Sequence, residues 1–338
     1  MPRTDWKETV APNERESFDL LASQLRDVQR EKAKAHGSTS RALHAKPHVG
    51  LKAELTVRDG LPDWARVGIF ASKGTFKAWL RLSNGGTMHL SDKAPDVRGI
   101  ALKVTGVAGK KLITGMEDAP TQDFLAILTQ TMPFKTPEAF VGVVRAANGP
   151  KLLALPRILG TLGFSAFGIL GQLQKGMAVK HASLVDNTFY SVLPLPIRWG
   201  STAVKYSLLP VKVPPLSGAV SEHSRFADDA IARVKAAPLT WTLRVQPYED
   251  EASTPIEDPT VQWNTPWTEL GDVTVPVQDP STEAGKKLTA LVDTFSFDPW
   301  HAPEEFRPLG AMMRARSHAY RDSTIERKAA KEPGPDAW

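Results

Sequence analysis

Arg316, Tyr320 and Arg327, close to the end of the chain, have the types and spacing to do chemistry. At about 100° per residue they fall within roughly 40° of one another on a helix running from Met312 to Arg327. A phenol with an ordinary pKa of about 10 needs roughly 4 kcal/mol of help to ionise at neutral pH. A guanidinium one turn away supplies part of that help. A tyrosinate held in this way is a hard anionic ligand for ferric haem iron. The same three residues also fit an ordinary amphipathic helix with a core tyrosine and solvated arginines, so the rest of the chain has to decide.

Toward the other end, His44 stands in Arg41-Ala42-Leu43-His44-Ala45-Lys46, directly before the first expected strand. Taken alone, such a histidine is more often structural than catalytic. Further on, Arg81 and Ser83 sit two apart in Trp79-Leu80-Arg81-Leu82-Ser83, so on a strand they share one face. An arginine facing inward is costly unless an anion pairs it. Arg81 and Ser83 together therefore imply a polar guest.

These residues need a scaffold, and the hydropathy pattern supplies one. A charged amphipathic helix is expected over residues 14–35, with Phe18, Leu21 and Leu25 on one face, as an arm (1–35) that docks on the main body. Strands are expected over 51–57, 64–70, 76–82 and 100–104, then over 203–210 and 239–246. The last forty residues return to helix. Strands first and helices afterwards imply an α+β class, with an antiparallel sheet that closes into a barrel inside surrounding helices. Nothing in the composition marks a linker, so residues 36–330 are expected to form a single domain and 331–338 a tail.

Composition narrows the chemistry. The chain of 338 residues is long enough to enclose a cofactor. Its formal charge of +5 is spread without a polybasic run, which suits anionic ligands and gives no sign of nucleic acid. The chain has no cysteine. Disulfides, thiolate ligation, iron–sulfur clusters and cysteine–zinc sites are thereby excluded. The N-terminus has no apolar core of the kind a signal peptide carries, so a cytoplasmic location is expected. From Ile158 to Gln174 no residue is charged. That stretch is short and rich in glycine for a membrane span, and it reads as a buried or surface-docked helix. Its alternative role is an apolar lip at a membrane surface.

With these motifs in order, the chain resembles the haem-dependent catalases over roughly residues 36–328, and particularly their short single-domain relatives. Arg41 to Lys46 is similar to the family's Arg-x-x-His-Ala-Lys motif. The resemblance implies that His44 is the distal catalytic residue and that Arg41 binds a haem propionate. Trp79 to Ser83 resembles the strand on which an arginine, here Arg81, holds a propionate and a serine, here Ser83, bonds the distal histidine; Leu82 replaces the usual phenylalanine. Asp96-Val97-Arg98-Gly99 looks like the family's Asp-x-Arg-Gly turn, and Phe140 stands where the family places an aromatic over the haem. Arg316, Tyr320 and Arg327 resemble the proximal arginine, the iron ligand and a further propionate-binding arginine. The implied cofactor is a ferric, tyrosinate-ligated protohaem (heme b).

The departures matter as much. Catalases carry a distal asparagine between the Asp-x-Arg-Gly turn and the aromatic, whereas this chain has no Asn from Gly85 to Ala147. Ile127, Leu128, Thr129 and Gln130 stand around the matching place, and only Gln130 or Gln122 could bring an amide. Leu43 before His44, where allene oxide synthases place a threonine, disfavours that activity. The expected function is a haem peroxidase that reduces hydrogen peroxide or an organic hydroperoxide through a ferryl intermediate, at the expense of an organic electron donor and with weak or absent catalase activity. Its alternatives are a true catalase, a hydroperoxide-rearranging or oxidative biosynthetic enzyme, and a haem carrier without turnover. The expected assembly is a homodimer.

Overall fold

The alternating strands of the first third of the chain become one wall of an antiparallel barrel. The structure is a computed structural model describing residues 1–36, 40–177, 179, 181–192, 195–216, 220–329 and 332–333. Helix α1 (Glu14–His36) precedes β1 (Pro47–Val57), β2 (Gly74–Asn84), β3 (Arg98–Thr105) and β4 (Thr121–Ile127). Three helices follow, α2 (Pro137–Asn148), α3 (Lys151–Leu162) and α4 (Ser165–Met177). Then come β5 (Phe189–Ser191), β6 (Ile197–Trp199), β7 (Thr202–Lys212), α5 (Arg225–Ala236), β8 (Leu239–Pro247) and β9 (Thr268–Val275). The chain ends in α6 (Glu283–Thr294) and α7 (Ala311–Glu326).

The strands run β5-β4-β3-β2-β1-β9-β8-β7 with every pairing antiparallel, and β5 also pairs with β7. The ring therefore closes on itself and leaves no edge along those strands. Strand β6 lies outside the ring as a hairpin partner of β7. The expected α+β class with a barrel core is the architecture found.

Alternation along β2 separates two environments. Ala78, Leu80 and Leu82 join the main apolar core with Leu51, Leu102 and Phe124. Trp79, Arg81 and Ser83 point the other way. On that second face Trp79, Leu125 and Ile127 meet Phe295, Phe297, Met312 and Met313, with Phe140 and Tyr320 packed at the margin. The residues proposed for chemistry sit along this seam between barrel and helices. Gly50 on β1 brings α6 close, since a Cβ there would lie 2.7 Å from Val292 Cβ. That approach places the end of α6 beside Arg81. Helix α7 starts at Gly310, whose φ of 90° suits glycine. Helix α1 lies along α7, with Arg26 bonded to Asp322 at 2.9 Å and Phe18, Leu21 and Leu25 buried against Val141 and Ala315.

Two expectations are corrected. Residues 64–70 form no strand; they make two single 3-10 turns, Asp63–Ala65 and Gly68–Phe70. Pro62 opens the first turn, and Gly68 at φ 51° opens the second against the Phe306 ring, so the extended backbone that Trp64, Val67 and Ile69 favour is overridden. The uncharged stretch 158–174 is not one helix. It is divided between α3 and α4 at Gly163, whose φ of 56° ends the first helix. Strands β4, β5, β6 and β9 lay outside the expected set. β4 is buried throughout, so it shows no alternation of polar and apolar residues.

Candidate active site

His44 adopts φ 53°, a left-handed conformation uncommon for a side-chain-bearing residue. Its amide donates to Gly85 O at 2.9 Å and its carbonyl accepts from Arg81 at 2.9 Å, so both neighbours hold the strained turn in place. The imidazole rests on Gly99, where a Cβ would stand 2.6 Å from His44 Cε1. Nδ1 lies 3.0 Å from Ser83 Oγ, the pairing expected for Ser83. That bond leaves Nε2 as the nitrogen free to exchange a proton. Burial pushes His44 down to about 3, with Arg81, Arg316 and Arg41 adding to the effect, so the ring is neutral at ordinary pH.

Three guanidiniums converge at the end of α6. Arg41 donates to Asp293 at 2.6 Å and to Phe295 O at 2.7 Å. Arg81 donates to the same Asp293 oxygen at 2.9 Å, and Arg327 donates to Phe295 O at 2.8 Å and Thr294 O at 3.2 Å. The carbonyls are those left open at a helix C-terminus, where partial negative charge attracts cations. Burial would raise the Asp293 carboxyl, but Arg81 and Arg41 hold it below the ordinary carboxylate range. Burial, with the like charge of Arg41 beside them, brings Arg81 and Arg327 down to about 9, against the opposing pull of Asp293. Three cations around one carboxylate, Arg81 buried and Arg41 and Arg327 half-buried, leave an excess of two positive charges, which is costly unless anions arrive. The two propionates of a haem match that excess.

Opposite them, α7 presents Tyr320. The Arg316 guanidinium lies over the phenol ring, 4.7 Å from its centroid, and donates from Nη2 to the phenol oxygen. A phenolate in this place has a charge-assisted partner. Arg316 Nε is buried without a partner. Phe140 stacks edge-on with Phe134 at 5.6 Å beside the same cluster. Apolar walls, a hard oxygen donor, a neutral imidazole and an uncompensated pair of positive charges are together a donor set that fits a haem. Tyr320 would hold its iron, and Arg41, Arg81 and Arg327 its propionates.

Neither glutamine that could have brought an amide is placed on the seam. Gln122 alternates with Asp123 along β4, so it shares the face of Phe124 and Ala126, away from Leu125 and Ile127. Gln130 lines a cavity of about 290 Å³ with Tyr190, Lys205, Tyr206, Trp263 and Trp267. The seam is walled by Leu125 and Ile127 instead.

Sequence reasoning missed Asp293 and a buried ionic cluster beside the seam. Lys103 Nζ donates to both Asp123 oxygens at 2.8 and 2.9 Å, lies 2.9 Å from His301 Nδ1, and also pairs with Glu332. A lysine inside Ile100-Ala101-Leu102-Lys103-Val104 was the available signal, since an apolar strand carries such a charge only if it is paired. Most of the expected tail lies outside the described residues, but Glu332 is docked in this cluster. There Lys103 and His301, against the opposing effect of burial, hold its carboxyl at about 2. Lys103→Met would leave Asp123 and Glu332 with His301 as their remaining partner in this cluster. We expect a loss of about 3–5 kcal/mol in the free energy of urea unfolding; a loss under 1 kcal/mol would show the cluster to be energetically idle.

No family model matches the chain. It is 25% identical over 313 residues to a catalase-related peroxidase of Mycolicibacterium paratuberculosis, across 88% of this chain and 91% of that protein. Among solved structures it is similar to a fungal catalase, with a TM-score of 0.64 at 17% identity over 87% of this chain and 61% of that one. It is also similar to catalase A of Saccharomyces cerevisiae, with a TM-score of 0.62 at 15% identity over 97% and 67%. The chain thus spans about three-fifths of the fungal catalase it matches. Sequence and structure point the same way: the chain has a catalase-like fold, with the seam between barrel and α7 as its candidate active site.

Proposed function

We propose that this chain is a haem b-dependent peroxidase that reduces hydrogen peroxide or organic hydroperoxides with an organic electron donor and dismutates hydrogen peroxide weakly. The observation that carries the reading is the pairing of His44–Ser83 with Arg316–Tyr320 along one seam, beside a group of buried and half-buried guanidiniums with two charges to spare. The catalase-related relative supports it. Bound haem would supply the redox chemistry that splits an O–O bond and passes oxidising equivalents to a donor.

The residues divide the remaining work. Tyr320 presents the ligand oxygen, and Arg316 keeps a donor and a positive charge on it. Arg41, Arg81 and Arg327 would hold the haem carboxylates. His44 accepts the proton of an incoming hydroperoxide and returns it to the leaving oxygen. Ser83 at Nδ1 sets the tautomer and the ring plane for that transfer. Leu125 and Ile127 give a second peroxide no amide to orient it, which favours an outside donor over dismutation. The test is an optical spectrum of the haem-loaded protein followed by peroxide titration with and without an aromatic donor. Turnover that requires the donor, with slow oxygen evolution, is expected; vigorous donor-independent oxygen evolution would make it a true catalase.

A pH profile follows from His44. With the ring at about 3, the neutral base is present at every higher pH. The rate of reaction with peroxide should stay flat from about pH 8 to about pH 5 and fall below that as His44 takes up a proton. Burial is the largest cause of the depression, so the limb remains below the ordinary 6.5 even when carboxylates offset the arginines. Stopped-flow rates on the haem-loaded protein check this, and an acid limb centred at 6.5 would contradict it.

A further inference from the structure

The α3–α4 hairpin turns large apolar side chains outward. Leu152 is 92% exposed, Phe164 93%, Phe167 59% and Leu155 48%. Leu152 and Leu155 are three apart and so share one side of α3. Phe164 stands in the link, and Phe167 in the first turn of α4. Scattered exposed leucines are ordinary, but a group of this size on one hairpin marks a contact surface. The inner side is already occupied. Ile158 and Ala166 are buried against Ala146 of α2, and Ile169 and Leu173 pack on the cluster that holds Phe140 and Tyr320.

Charge says what the outer side meets. The chain carries 37 acidic residues, yet none lies between Ala139 and Val185, where Arg145, Lys151, Arg157, Lys175 and Lys180 all occur. Arg157 and Lys175 are exposed on the hairpin itself. Among the described residues no helix is long and apolar enough to cross a membrane. Short helices with an apolar outer side and basic flanks lie in the interface of an anionic bilayer. A second copy of the chain would bring like-charged basic faces together, which disfavours that occupant.

We propose that the α3–α4 hairpin is a docking surface for an anionic lipid bilayer. Leu152, Leu155, Phe164 and Phe167 enter the acyl boundary, and Arg157 and Lys175 meet the headgroups. The seam holding Tyr320 then lies directly behind the docked surface.

Cosedimentation of the full chain with phosphatidylcholine vesicles containing about 30% phosphatidylglycerol tests this. Binding is expected, about tenfold or more weaker on pure phosphatidylcholine and weakened by salt. The triple variant Leu152→Ser, Phe164→Ser, Phe167→Ser should lose at least about tenfold in binding. Its near-UV circular dichroism and Tm should be little changed, because Leu152 and Phe164 are almost fully exposed and Phe167 is more than half exposed. Arg157→Gln with Lys175→Gln should weaken binding to the anionic vesicles alone. Absence of binding by the parent chain, or binding undiminished in the triple variant, overturns the proposal. So does a dimer in analytical ultracentrifugation that the triple variant dissolves while vesicles capture nothing. None of these readouts needs turnover, so they stand apart from the haem reading.

Discussion

Tyr320→Phe will abolish the tyrosinate charge-transfer bands of the haem-loaded protein and lower peroxidase turnover by more than about a hundredfold. The phenol oxygen is the donor α7 presents at the seam, and removing it costs one atom while the ring stays packed beside Met313 and Phe140. The fold should therefore persist, and circular dichroism should be unaltered. Arg316 loses the acceptor of its Nη2 hydrogen bond, and its Nε is already without one. A buried guanidinium with no anionic partner is costly, so the variant should also hold haem less tightly. Retention of a normal tyrosinate spectrum in Tyr320→Phe would overturn the assignment of the iron ligand whatever the reaction.

His44→Asn should leave that spectrum in place and slow the reaction with peroxide by about a hundred- to ten-thousandfold, the usual contribution of a positioned acid–base group. Asparagine is chosen because it tolerates the left-handed backbone at φ 53°, so the effect is not confused with loss of the turn. Ser83 keeps a polar neighbour, while the group able to accept and return a proton near neutrality is gone. The distinction is read by stopped flow: haem content and ferric spectrum as in the parent, peroxide reaction slow. A rate within threefold of the parent would show that proton transfer does not depend on this ring.

The comparison of sequence with structure is uneven in an instructive way. Local periodicity was enough for α7, because Arg316 and Tyr320 lie one turn apart and need only a helix to meet. It was enough for Arg81 and Ser83, because strand alternation puts them on one face. What could not be read locally was the counter-charge. Asp293 closes on Arg81 and Arg41 only because Gly50 lets α6 lie against β1, a tertiary fact with no local signature. Strand β4 escaped for a related reason: it is covered on both faces, so the alternation that identifies a strand is absent. Residues 64–70 show the converse error, in which β-favouring side chains are overruled by a proline and a glycine.

Closure of the barrel bears on when the protein can become active during its own synthesis. Glu54 to Val57 pair with Gly271 to Thr274, so the β1 edge of the first wall has no partner until β9 has been made. Pairings between such distant segments are slow to form and leave strands exposed while they wait. The candidate site is later still, because His44 precedes the first strand and Tyr320 and Arg327 follow the last. A nascent chain therefore carries neither a closed ring nor a complete haem cradle. On the proposed function, a haem would find its cradle only once α7 has been made, after every strand of the barrel.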